Sequence, residues 1–310
     1  KIGLYIPAGT APLFSALLMQ AIPARIARCE NVILCSPPQK NGKIHPAILA
    51  AAKLCGIRDV YAAGGAQAIA AMAFGTRTIS KVDKIFGPGN VYVTTAKQLV
   101  SQDPDGAAID MPAGQSEVLV IADKTCRADW VAADLLAQAE HDASAQVLLV
   151  TTDAAFAKQV DAEVKKQLAA LPRREIAAKS LAESRIIVVP NIATAIDVSN
   201  AYAPEHLIIH KKDAAKFLPK IQDAGSVFLG ALTPESAGDY ASGTNHVLPT
   251  YGNARAYGGI SIYSFLKSMT AQNLTPAGLR SLGPTIVTMA EAEELQAHAN
   301  AVMIRLGKQL

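Results

Sequence analysis

Aromatic residues make up only 5% of this chain, with a single Trp, and no run of basic residues is interleaved with them. A nucleic-acid surface needs stacking rings and clustered Lys/Arg. A formal net charge of +3 spread along 310 residues supplies neither that nor a face for anionic lipid. Cysteine is scarce: Cys29, Cys35, Cys55 and Cys126 form no C-x-x-C pair and lie in or beside apolar stretches. That excludes a disulfide scaffold and predicts buried thiols in a reducing compartment. No signal peptide is visible and no apolar run reaches the length of a membrane span, so the cytoplasm is the expected location, with no membrane and no nucleic acid as partner. Several motifs are missing too. The chain has no H-E-x-x-H, no G-x-S-x-G, no phosphate-binding P-loop and no G-x-G-x-x-G. Their absence argues against common metalloproteases, esterases, kinases and ordinary dinucleotide-binding proteins.

What is present is apolar residues at 50%, enough for about two domains with sizeable cores. Short β-branched runs alternate with Ala/Leu-rich stretches, which predicts an α/β fold of two Rossmann-like units with mainly parallel sheets. In the first, strands are expected at Ile2–Ile6, Asn31–Cys35, Asp59–Ala63 and Lys84–Phe86, with helices at Ala11–Arg28, His45–Leu54, Gln67–Ala73 and Val91–Val100. Pro23 should bend or restart the first helix. In the second, strands at Glu117–Ile121, Gln146–Val150, Arg185–Val189 and Ser226–Leu229 alternate with helices at Ala128–Ala139, Ala154–Leu171, Ala193–Ala201 and Asp213–Asp223. The charged stretch from Lys158 to Glu183 reads as a solvated helix and loop, and Thr233 to Gly259 as a long functional loop. The expected division is a cofactor-side domain, 1–113, a substrate and metal domain, 114–260, and a C-terminal helical tail, 261–310. No internal repeat is visible. The chain opens at Lys1 directly in a strand-like run, so a preceding segment is expected.

Chemistry concentrates in four polar clusters. Glu205-His206 sits between Pro204 and a short apolar strand, pairing a carboxylate with the side chain suited to proton transfer near neutral pH. Gln138 and His141, three apart on a helix, share one face and offer an oxygen and a nitrogen to a divalent ion. The Gly-rich stretch Glu235–His246 carries Asp239 and His246, and the tail carries His298. Each has an ordinary reading alone: a surface dipeptide, a polar helix end, a flexible loop, and an intrahelical Glu294–His298 ion pair. Together they read as a metal-assisted active site. Two glycine turns, Gly64-Gly65 before Gln67 and Gly87-Pro88-Gly89 before Asn90, place free N–H groups at helix starts. By pattern alone they read more readily as tight turns than as parts of a nucleotide site. His45 and His210 read as the start of a helix and the end of a strand.

Read together, these stretches resemble the histidinol dehydrogenase family. The resemblance rests on Gly64-Gly-Ala-Gln-Ala-Ile-Ala, Val82-Asp-Lys-Ile-Phe-Gly-Pro-Gly-Asn, Ala108-Ile-Asp-Met-Pro-Ala-Gly, Gln138-Ala-Glu-His and Pro204-Glu-His-Leu-Ile. Its most specific block is Gly238-Asp-Tyr-Ala-Ser-Gly-Thr-Asn-His, and it runs through essentially the whole chain. It implies oxidation of L-histidinol to L-histidine in two NAD-dependent steps, through an enzyme-held aldehyde, with one Zn2+ per site in a homodimer. By position it implies Gln138, His141 and Asp239 as zinc ligands, completed by His298 from the partner subunit. Ser116 and Glu293 match substrate contacts; Tyr5, Gln67 and Asn90 match the NAD site. His206 would be the general base, and Glu205 would activate the water that adds to the aldehyde. One departure is Gln115, where the family usually carries proline. The alternative is a non-catalytic, metal-binding and self-associating fragment or paralogue.

Overall fold

The computed structural model describes residues 1–7 and 11–307. They form two compact units, Lys1–Leu266 and Lys267–Leu310. The first unit holds two sheets. In order come β1 (Ile2–Tyr5), α1 (Phe14–Ile26), β2 (Val32–Ser36), α2 (Pro46–Cys55), β3 (Asp59–Ala62), α3 (Gly65–Phe74), β4 (Lys84–Phe86), α4 (Val91–Gln102) and β5 (Ala108–Ile109). The second sheet follows with β6 (Glu117–Ala122), α5 (Ala128–Ala139), β7 (Gln146–Thr151), α6 (Ala154–Leu168), α7 (Arg174–Glu183), β8 (Arg185–Val188), α8 (Ile192–Tyr202), β9 (His206–Ile209), β10 (Ser226–Leu229) and α9 (Glu235–Tyr240).

Both sheets are five-stranded, ordered β3-β2-β1-β4-β5 and β10-β9-β6-β7-β8, and every pairing is parallel. Read from its far edge, the second order repeats the first. The sequence shows no repeat, yet the fold uses one topology twice, the doubly wound Rossmann order, without its glycine fingerprint. The strands are apolar because parallel sheets are covered on both faces. Leu4, Ile6, Leu34 and Phe86 pack on α1 and α2, while Tyr5, Ile33, Cys35 and Ile85 pack on α3 and α4. The period of two recurs in the second sheet: Val118, Val120, Leu149 and Ile208 face α5, α6 and α7, and Leu119, Ile121, Val150 and Leu207 face α8.

Local signals set several boundaries. The His45 ring accepts the N–H of Ala47, Pro46 starts α2, and Gly56 closes it at φ 76. Asp153 and Asn191 cap α6 and α8 through their side chains. Several expectations need correction. Helix α1 runs through Pro23 rather than restarting there. The helix expected over Asp213–Asp223 is two 3₁₀ turns, Ala214–Lys216 and Leu218–Lys220, because Pro219 removes a backbone donor. Strand β5 was not foreseen, being two residues long. Cys35 is buried, and burial pushes its thiol up to about 12; the other three cysteines are only half-buried.

The second unit contains α10 (Pro276–Ala292) and α11 (Gln296–Arg305). The tail is therefore not one helix, and its last residues, 308–310, lie outside the described part. Glu294, at φ 60, breaks it. Glu294 and His298 are thus not one turn apart on a single helix, and among the described residues they form no ion pair. Gly283 leaves room for Val302 and Leu306, which a Cβ there would meet at 3.2 and 2.7 Å. No helix among the described residues is long and apolar enough to cross a membrane.

Candidate active site

The amino ends of β6 and β9 lie side by side, with Val118 paired to His206. That register sets Glu117 beside Glu205. Glu205 and His206 arrive there because α8 ends in Ala203, fully buried and held at φ 56, a left-handed conformation that non-glycine residues rarely adopt. The chain turns sharply at that point into β9. Glu205 Oε2 accepts the Glu117 N–H at 2.8 Å, and Glu117 Oε1 accepts the Tyr251 N–H at 3.0 Å. Desolvation, with Glu205 nearby, pushes the Glu117 carboxyl up to about 7 against those hydrogen bonds.

His206 is 4% exposed and sits among carboxylates. Its Nδ1 lies 3.1 Å from the Glu117 carbonyl oxygen, 3.6 Å from Glu205 and 4.0 Å from Glu235. Its Nε2 lies 3.8 Å from Asp239 and has no hydrogen-bond partner. A carbonyl only accepts, so in the neutral ring Nδ1 carries the hydrogen and Nε2 holds the lone pair. Burial opposes charging of the ring, but Glu235, Glu205 and Asp239 outweigh it and push it up to about 10.

Gln138 and His141, at the end of α5, reach the same place. His141, Glu235 and Asp239 each offer a ligand atom within 4.8 Å of the others. Desolvation lowers the His141 ring, Asp239 and Glu205 opposing, so its nitrogen stays available to a cation. The Gln138 amide lies against Glu235, and the hydrogen-bonding pattern assigns its nitrogen to that side, where it donates to Oε1 and, at 3.3 Å, to Oε2. Asp239 lies one turn beyond Glu235 on α9. The Asp239 carbonyl oxygen is 2.9 Å from His246 Nδ1. These groups line a pocket of ≈ 630 Å³ empty volume, partly open to solvent, that also takes in Ser116 and, from the first sheet's side, Ala16 and Pro88.

The glycine turns lie at the carboxyl ends of β3 and β4. Gly87, at φ 120, leaves a Cβ no room: it would sit 2.0 Å from the Tyr5 carbonyl oxygen. Tyr5 is 3% exposed and its hydroxyl accepts the Gly65 N–H at 3.0 Å, so it braces one turn from below. Gln67 is exposed beside that turn, and the Asn90 side chain caps α4 by accepting the Val93 N–H. Buried Lys97 ties Gly87 O to Asp110, 2.8 and 2.5 Å away.

Ser116, Gln138, His141, Glu205, His206 and Asp239, far apart in sequence, thus share one pocket. Tyr5, Gln67 and Asn90 lie on the turns of the first sheet, while Glu293 and His298 belong to the second unit, both exposed. Sequence reasoning missed Glu117 and Glu235. Glu235 had a signal: it stands four residues before Asp239, a spacing that shares a helical face. Gln115 is tied by its side-chain oxygen to the Tyr251 hydroxyl.

Two doubly wound sheets, with a histidine, carboxylates and a cluster that could hold a cation in one cleft, define an α/β protein equipped for acid–base chemistry. The comparisons give the family. The chain matches the histidinol dehydrogenase family model over residues 1–306. It is 58% identical over 306 residues to the histidinol dehydrogenase of Bacteroides fragilis, covering 99% of this chain and 71% of that protein. It is equally 58% identical to that of Vibrio parahaemolyticus, covering 99% and 70%. The crystal structure of histidinol dehydrogenase from Elizabethkingia anophelis superposes with a TM-score of 0.95 at 57% identity, covering 99% of this chain and 70% of that one. The chain belongs to the histidinol dehydrogenase family, the oxidoreductases of histidine biosynthesis, and the non-catalytic alternative is not favoured.

Proposed function

We propose that the chain oxidises L-histidinol to L-histidine in two NAD-dependent steps, with zinc, in a cytoplasmic homodimer. The observation that carries this reading is His206 Nε2, buried without a partner, beside a cluster fit for a divalent cation. The His141 nitrogen and the Asp239 carboxylate oxygen, within 4.8 Å of each other, suit zinc, whose ligands sit about 2 Å from the metal. The Gln138 amide oxygen adds a neutral donor, and His298 of the partner subunit would complete the set. Zinc held there would supply a Lewis acid that orients the substrate, and NAD would supply the hydride acceptor.

The residues do the rest. With Asp239 and the neighbouring carboxylates neutralised by a bound cation, the His206 ring would no longer be held charged, and its Nε2 would accept the alcohol proton as the C–H hydride departs, leaving an aldehyde. Glu205 then takes a proton from water as that oxygen bonds to the aldehyde carbon, and the protonated His206 returns its proton to the former carbonyl oxygen, which gives the hydrate and frees the ring again. His206 accepts the hydroxyl proton of the hydrate as the second hydride leaves, giving the carboxylic acid, which loses its remaining proton to solvent. Ser116, and Glu293 of the partner subunit, hold the substrate. Tyr5, Gln67 and Asn90 hold the turns, or the cofactor against them, at the point where strand order reverses between β1 and β4. In this reading 1–113 is the cofactor side, 114–260 the substrate and metal side, and 261–310 the segment that reaches the partner.

The test is NADH absorbance on mixing the purified chain with L-histidinol, NAD and zinc, beside a chelated control. Zinc-dependent NADH formation is expected. A folded protein that binds zinc but reduces no NAD with histidinol or any amino alcohol would refute the proposal.

A further inference from the structure

Glu235 is the most deeply placed acid in the pocket that the chemistry above leaves unused. It is 2% exposed, held at the first turn of α9, where Pro234 starts the helix. Free N–H groups in a first turn favour a carboxylate there. Its nearest polar partner is the amide of Gln138, itself fully buried. A glutamine amide is nearly symmetric in shape, and the torsion that turns it is broad and twofold. An unheld Gln138 would present its nitrogen, which cannot ligate a cation, about as readily as its oxygen. Against Glu235 the two orientations are unequal. With the nitrogen inward, the amide donates to both carboxylate oxygens; reversed, oxygen would face oxygen.

We infer that Glu235 is a positioning residue for the metal: its carboxylate locks the Gln138 amide so that the oxygen, and not the nitrogen, is the atom left to ligate. This rests on the zinc reading above and adds to it a residue that acts through a ligand. The position of Asp239 on the same helix fits the assignment. Asp239 supplies the charged oxygen from α9, while Glu235, one turn earlier, is already occupied by the amide. Carboxylates that orient a ligating side chain in this way are worth about 10–100-fold in metal affinity.

The experiment is a double-mutant cycle on zinc affinity, read by chelator competition with the 310-residue chain: wild type, Gln138→Ala, Glu235→Leu and the double variant. Glu235→Leu alone should weaken zinc by roughly 10–100-fold. In the Gln138→Ala background the same substitution should cost almost nothing, since there is no longer an amide to orient. Losses that add would overturn the inference and make Glu235 a direct ligand. An unchanged affinity in folded Glu235→Leu would overturn it as well, leaving a purely structural carboxylate. If Glu235→Leu does not fold, Glu235→Gln enters the same cycle under the same criterion. Wild-type chain that binds no zinc would sink the zinc reading and this one together. Zinc-binding wild type with additive losses sinks only the present one.

Discussion

Replacing Lys97 by Met should unfold a substantial part of the margin that keeps the first unit folded. Lys97 and Asp110 are an ion pair 2.5 Å apart whose side chains are 2% and 1% exposed. Besides Asp110, the ammonium donates to Gly87 O at 2.8 Å and Met111 O at 3.5 Å. Asp110 in turn accepts the N–H groups of Gly87 and Met111 at 2.8 and 2.7 Å. Methionine fills most of the lysine stem, so little cavity forms and the effect is electrostatic. A carboxylate is left buried with two amide donors and no directly paired counter-charge, Lys84 acting on it only at longer range. Breaking a buried pair from one side costs about 3–5 kcal/mol, a large share of a typical ~5–15 kcal/mol. With about 2.1 cal/mol/K of unfolding entropy per residue over Lys1–Leu266, about 4 kcal/mol lowers the melting temperature by roughly 7 °C. Urea titration of wild type, Lys97→Met and Lys97→Met/Asp110→Asn, read at constant slope, measures it. The double variant should recover much of the loss, because the stranded charge is gone. A single-variant loss under about 1 kcal/mol would show that the pair is hydrated and that this reasoning about burial is wrong.

Other outcomes follow from the same geometry. Glu205→Gln should slow oxidation of the aldehyde more than that of the alcohol, whereas His206→Asn should damage both; single-turnover NADH formation from each substrate separates them, and equal losses for Glu205→Gln would reject the division of labour. Asp134 is buried 3.8 Å from His210, and desolvation pushes its carboxyl up to about 7, while burial lowers the His210 ring and keeps it from compensating. A raised carboxyl stabilises the fold fully below its unfolded value near 4 and loses that contribution as pH rises through 7, so Asp134→Asn should gain about 2 kcal/mol on wild type between pH 5 and pH 8. Parallel denaturation curves at the two pH values would refute it. Gly87→Ala, forced against Tyr5 O at φ 120, should cost at least about 1–3 kcal/mol in thermal melts; a neutral result would mean that the turn relaxes freely.

How much of this could be read in the sequence differs from element to element. The alternation of apolar strand and helix was legible because a parallel sheet covered on both faces demands unbroken β-branched runs, as in Val118–Ile121. Gln138 and His141 could be paired because residues three apart on a helix share a face, although His141 lies in the turn just past α5, its N–H on the Gln138 carbonyl. The break at Glu294 and the 3₁₀ turns around Pro219 were not, since short elements carry too few residues for periodicity to speak. The repeated strand order left no trace either, because topology constrains the burial pattern and not residue identity. Least legible was Glu235: its spacing to Asp239 was visible, but not the amide that it faces.

The chain by itself determined the inventory: a doubly wound α/β fold, one Glu-His pair at a strand start, donor groups on helices, glycines where backbones must touch. Only the tertiary structure decided that Glu117, Gln138, His141, Glu205, His206, Glu235 and Asp239 share one pocket. The reason is physical. Periodicity and turn chemistry act over a few residues, whereas the field that raises His206 and the bond that turns Gln138 act across space between segments up to about a hundred residues apart.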